Sequence, residues 1–189
     1  MPIMRKGSHA IHFAHIPRTG GRALIQAFCR SGWTPDYKSQ TTNRSHPHLY
    51  FEEVKGEALN ISSFAVVRDP IDRFISACKF EGLCESQAAI VSMLSVQEDR
   101  PTVEQRHFQS QYKFIGPNTM IFKYEEDQEK LLDYMRFAGL VGHEDSISKV
   151  NHGAAIYEVN KKELGSDSIK IRRWYIDDYR RFGYIGSKT

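Results

Sequence analysis

Twice in this chain a short apolar run ends in a tight turn and leads directly into a segment with helical spacing. That strand–turn–helix grammar leaves few architectures open. Ile11 to Ile16 is the first run, followed by Pro17-Arg18-Thr19-Gly20-Gly21 and then by Ala23 to Arg30, with Leu24, Ala27 and Phe28 on one face and Ser31-Gly32 as the stop. Phe64-Ala65-Val66-Val67 is the second, short and partly β-branched, as a strand covered on both faces should be. After it, Asp69 is a good N-cap, Pro70 suits the first helical position, and Ile71, Phe74, Ile75 and Cys78 share a face. A third strand is expected over Met120 to Lys123, then a helix ending near Gly139 with Leu131, Leu132 and Met135 among its apolar positions. The last helix is expected from about Ser168 to Phe182, with Gly183 closing it. Strands alternating with helices predict an α/β fold.

Between these elements the pattern weakens. A helix is expected around Ala88 to Val96, with a turn at Arg100-Pro101. Thr34 to Glu57 is polar, holds two prolines and reads as a long, functional loop. No repeat or linker divides the 189 residues, so the expectation is one domain over 1–189. No apolar run approaches a membrane span, and the basic Met1 to Ser8 stretch lacks the apolar segment of a secretory signal. Cys29, Cys78 and Cys84 are odd in number and lack CxxC spacing, which argues against a disulfide scaffold or a cysteine-rich zinc site and for a reducing cytoplasm. The net charge of +3 admits an anionic ligand but is not the basic footprint of a nucleic-acid binder.

The first turn, His15 to Ala23, has the layout of a phosphate cradle. A strand ends, glycines let the backbone fold tightly, and a helix N-terminus offers unpaired N–H groups, with Arg18, Thr19 and Arg22 as further donors. The alternative is a plain strand–helix turn in which the glycines only permit close packing. In the second turn Arg68 stands at a strand C-terminus, where open α/β sheets bind ligands, and Ser76 follows eight positions later, about two turns into the helix. The alternative there is that Arg68 pairs with Asp69 or Asp72, and Arg73 with Glu81, as surface ion pairs.

These motifs carry a resemblance. His15-Ile16-Pro17-Arg18-Thr19-Gly20-Gly21, then Val66-Val67-Arg68-Asp69-Pro70-Ile71-Asp72-Arg73-Phe74-Ile75-Ser76, resemble the sulfotransferases that use 3′-phosphoadenosine 5′-phosphosulfate (PAPS). The nearest likeness is to carbohydrate enzymes of the heparan sulfate 2-O and chondroitin type, in a minimal bacterial or viral form. His107-Phe108-Gln109-Ser110-Gln111, Phe122-Lys123-Tyr124-Glu125 and the closing Tyr175 to Tyr184 segment are similar too. The resemblance implies a P-loop-like three-layer sandwich with a central parallel sheet flanked by helices. It implies that Pro17, Arg18, Thr19, Gly20, Gly21, Arg22 and Ala23 hold the 5′-phosphosulfate, and that Arg68 and Ser76 hold the 3′-phosphate. The family pattern has Lys where this chain has Arg18 and a small hydroxyl residue where it has Arg22. Arg18 can still neutralise the sulfate and the leaving phosphate, as a planar fork rather than a point charge.

Sulfuryl transfer to an alcohol needs cations, in-line positioning and a base for the acceptor hydroxyl. Of the 8 histidines, His12 and His15 lie three apart in an extended segment and face opposite ways, so they do not chelate, and His12 reads as packing or surface. His46 and His48 flank Pro47 and can share a face; a metal site, a solvated loop and catalysis compete for them. The resemblance puts the base in this interval, in His48-Leu49-Tyr50-Phe51-Glu52-Glu53-Val54, with His46 second to His48. It also implies acceptor contacts from His46, His107 and Gln111. The basic run Lys170 to Arg173, with Arg180-Arg181, reads as a solvated helix face rather than an anion contact.

The expected function is PAPS-dependent sulfuryl transfer to a hydroxyl, on a glycan or sugar-containing metabolite, without a metal and without nucleic acid or membrane span. Two alternatives stay open: a P-loop-type small-metabolite kinase, which would need the missing Gly-Lys-Ser/Thr element, and a non-catalytic nucleotide-binding module.

Overall fold

The computed structural model describes residues 1–37, 48–81, 104–142 and 167–184. His46, Cys84, the helix expected over 88–96 and the Arg100-Pro101 turn lie outside them. The chain divides into two compact units, Met1–Val67 with Lys113–Val150, and Arg68–Tyr112 with Asn151–Thr189. Among the described residues no helix is long and apolar enough to cross a membrane.

The first unit is built on a five-stranded mixed sheet: β1 (Ile3–Lys6), β2 (His9–Phe13), β3 (Thr34–Asp36), β4 (Ser63–Val67) and β5 (Thr119–Lys123), in the order β3-β1-β2-β4-β5. β2, β4 and β5 run parallel, with Phe13 opposite Phe64 and Val67 opposite Lys123. Their C-terminal ends therefore lie at one end of the sheet, and the turn after β2 starts from its middle strand. The α/β reading holds. What the sequence pattern did not reveal is β1, which lies in the basic N-terminal stretch and pairs antiparallel with both β2 and β3. β3 is likewise a short strand inside the segment expected to be loop.

Among the described residues two helices pack on this sheet, α1 (Gly21–Arg30) and α3 (Gln128–Phe137). Leu24, Ala27 and Phe28 of α1 and Leu131 and Met135 of α3 join Ile11, Phe13, Phe64, Val66 and Phe122 in one buried cluster. The strand residues in it alternate along β2 and β4, as one face of a sheet must. Phe13 stacks on Phe64 at 4.9 Å, and Phe28 meets both edge-on at 6.0 and 6.1 Å. His12, on the opposite side of β2, is buried with Nδ1 3.2 Å from Ser63 Oγ. Burial pushes its pKa down to about 4, so it is a neutral packing residue at pH 7.

Among the described residues of the second unit the α-helices are α2 (Pro70–Glu81), α4 (Asp167–Trp174) and α5 (Ile176–Phe182). The final helix of the sequence reading is thus two helices meeting at Tyr175, and Gly183 closes the second in the left-handed conformation, φ 67°. Asp69 is the N-cap of α2: its Oδ1 accepts from the amides of Ile71 and Asp72, both at 3.0 Å. Phe74 packs edge-on against Phe108 and Tyr175. Lys170, Arg172 and Arg173 are exposed while Ile171 is buried, and Arg172 lies over the Tyr179 ring at 5.4 Å.

Candidate active site

The first turn departs from ordinary backbone in a way that only its geometry reveals. Arg18 has φ 68°, the one positive φ outside glycine among the described residues, and Gly20, before α1, has φ 85°. The sign of φ therefore alternates through Arg18, Thr19 and Gly20, the pattern that turns successive N–H groups into one concavity. A left-handed arginine costs roughly 1–2 kcal/mol, and strain of this kind collects at ligand-binding turns. No side chain among the described residues caps α1. The amides of Gly21 and Arg22, first in the helix, have no carbonyl within it to meet, the donors that an anion at a helix N-terminus uses.

Not every residue assigned to this turn offers the donor expected of it. Thr19 is buried and donates its hydroxyl to the Ile16 carbonyl at 3.0 Å, which braces the loop. Ala23 gives its N–H to the Gly20 carbonyl at 3.0 Å. Pro17 has no N–H to give. Arg18 is half-buried, and Arg22 is exposed.

The glycines differ in purpose. Gly20 supplies the left-handed φ. Gly21 supplies room: a Cβ there would stand 2.0 Å from the His15 ring. That ring is buried, stacked on Phe13 at 5.4 Å and tilted against His48 at 4.5 Å, so it has nowhere to go. Gly21→Ala should therefore destabilise the fold by about 1–3 kcal/mol, the usual cost of overpacking. Thermal melting of the variant checks this, and an unchanged midpoint would mean the ring yields.

His48 comes to the same turn. Its Nδ1 lies 3.2 Å from the backbone carbonyl of His15. A carbonyl only accepts, so Nδ1 carries the hydrogen and Nε2 keeps the basic lone pair. The residues after His48 are fixed behind it: Leu49 and Tyr50 are buried, Glu53 accepts the Tyr50 amide at 2.7 Å, and Tyr50 packs on Phe114 at 5.0 Å. His46 lies outside the described residues.

Arg68, in the second unit, is half-buried, as is Ser76 on α2. Its backbone is held by Gln111, whose amide accepts the Arg68 N–H at 2.9 Å and donates to the Arg68 carbonyl at 2.8 Å. Gln111 is fully buried. Asp178, also fully buried, accepts the backbone N–H of Gln111 at 2.8 Å and of Tyr112 at 3.0 Å. Burial pushes the Asp178 pKa up, opposed by the Arg73 charge and these amides. Arg73 is not the surface ion-pair partner of Glu81 that the alternative reading supposed. It is fully buried, donates to the carbonyls of His107 and Gln109, and lies over the Tyr175 ring at 5.4 Å. Glu81 bonds His107 instead, and Tyr175 donates its hydroxyl to the Phe108 carbonyl.

Sequence reasoning gave Asp178 no role and read Arg73 only as a surface charge. The faint signal was their position: each is a charge among buried neighbours, Arg73 between Ile71 and Phe74 and Asp178 beside Tyr179.

The middle strand of an α/β sheet thus ends in a tight turn that leads directly into a helix N-terminus, an arrangement suited to an anion. The comparison with known families is more specific: the Sulfotransferase family profile matches residues 1–185, and the chain belongs to that family of PAPS-dependent transferases. It has no significant match among curated proteins or solved structures. Family membership sets aside both the kinase and the non-catalytic readings.

Proposed function

We propose that this enzyme moves the sulfuryl group of PAPS to a hydroxyl of a carbohydrate, with residues 1–189 acting as one sulfotransferase domain. The observation that carries the reading is His48, seated by its Nδ1–H on the carbonyl that opens the phosphate turn, with Nε2 left basic. In this mechanism Nε2 takes the acceptor proton as the acceptor oxygen bonds to sulfur. The bond from sulfur to the 5′-phosphate oxygen breaks, and 3′-phosphoadenosine 5′-phosphate departs. Arg18, with the N–H groups of Gly20, Gly21 and Arg22, neutralises the charge that grows on the leaving phosphate. Arg68 and Ser76 take the 3′-phosphate. His107 and Gln111 act by shaping the protein around them. Support for a carbohydrate acceptor comes from the likeness of the two motifs to the heparan sulfate 2-O and chondroitin enzymes.

Titration tests the nucleotide assignment. 3′-Phosphoadenosine 5′-phosphate should bind markedly tighter than AMP or ATP, and Arg68→Ala should weaken it by roughly 1.5–3 kcal/mol, the scale of a charged hydrogen bond. Equal affinity for AMP and the product nucleotide would remove the 3′-phosphate from the reading. Transfer of radiolabel from PAPS to a panel of saccharides, lipid-linked sugars and small hydroxyl compounds identifies the acceptor; labelling of non-sugar alcohols alone would overturn the carbohydrate assignment.

A further inference from the structure

The Gln111 amide treats Arg68 as a neighbouring strand would, pairing with both its N–H and its carbonyl. We propose that Gln111 and Asp178 are positioning residues that fix the backbone at Arg68 and so set the preference for a nucleotide carrying a 3′-phosphate. The proposal rests on the reading that Arg68 binds that phosphate.

Three features give it weight. The pairing is two-sided, so any turn of the Arg68 peptide groups breaks a bond whose other half sits on a fully buried side chain. Gln111 cannot slide to follow such a movement. Asp178 on α5 holds the backbone of Gln111 and Tyr112 together, one carboxylate oxygen to each. The same segment is gripped from α2 by Arg73, through the carbonyls of His107 and Gln109. α2 also carries Ser76, so the helix that holds this segment is the one that presents the second proposed phosphate donor. A guanidinium recognises phosphate as a planar fork, and its direction matters as much as its charge.

The test is the ratio of affinities for 3′-phosphoadenosine 5′-phosphate and AMP, measured by calorimetry on the full chain, with circular dichroism to confirm folding. Gln111→Met removes both amide bonds at nearly constant volume. It should lower the ratio about tenfold or more, the equivalent of one charged hydrogen bond, through loss of product-nucleotide affinity with AMP affinity unchanged. Arg68→Ala should lower the ratio at least as far, and the double variant no further, because both act on one contact. A collapsed ratio in Arg68→Ala with a normal one in Gln111→Met overturns this proposal alone. A normal ratio in Arg68→Ala overturns the reading of Arg68 and the proposal with it. Equal weakening of both nucleotides in Gln111→Met makes the residue merely structural and also overturns the proposal. If Gln111→Met does not fold, the same ratio is read in Gln111→Asn, which keeps the amide and shortens its reach, and in Asp178→Asn.

Discussion

His48→Ala should cut turnover by ~10²–10⁴-fold, the contribution of a well-placed general base, while the fold and the affinity for the product nucleotide stay nearly intact. Binding is spared because His48 meets the turn through the His15 carbonyl and supplies none of its N–H donors. Chemistry is lost because Nε2 is the nitrogen the Nδ1 bond leaves unprotonated. The wild-type rate should fall on the acid side of its pH profile, since a protonated ring has no lone pair to offer. That limb should vanish in the variant. His46→Ala should be milder. Near-normal turnover in His48→Ala with a large loss in His46→Ala would move the base to His46. Insensitivity of both, with loss in Glu52→Gln or His107→Ala, would take catalysis away from this loop.

Arg18→Ala should lower kcat by ~10²–10³-fold, the scale seen when one preorganised donor to a developing anion is removed, and should weaken product-nucleotide binding far less. Charge on the bridging oxygen is greatest in the transition state, so a cation there acts mainly on the rate. Equal losses in kcat and in affinity would make Arg18 a ground-state anchor. Arg18→Lys is the informative companion, as the family pattern has Lys at this position; retained activity would show that charge matters there more than the fork.

Whatever depends on near neighbours in the chain could be read from the residues. The β2–turn–α1 and β4–turn–α2 units, the Asp69 cap and the Gly183 stop rest on contacts within a few positions, where residue type dictates geometry. The family resemblance was legible for the same reason, since its motifs are continuous strings. β1 was not legible, because Ile3 to Lys6 has no strand pattern of its own and is a strand only by pairing with residues of β2 and β3. The bonds that grip the Arg68 segment were hidden too: the resemblance named Gln111 only as an acceptor contact and gave Asp178 no role. Gln111 reaches Arg68 across 43 positions, and Asp178 reaches Gln111 across 67. A buried amide or carboxylate at such separation has no local signature. Its role is decided only when the packed chain removes water and leaves each polar group to find the one partner within reach.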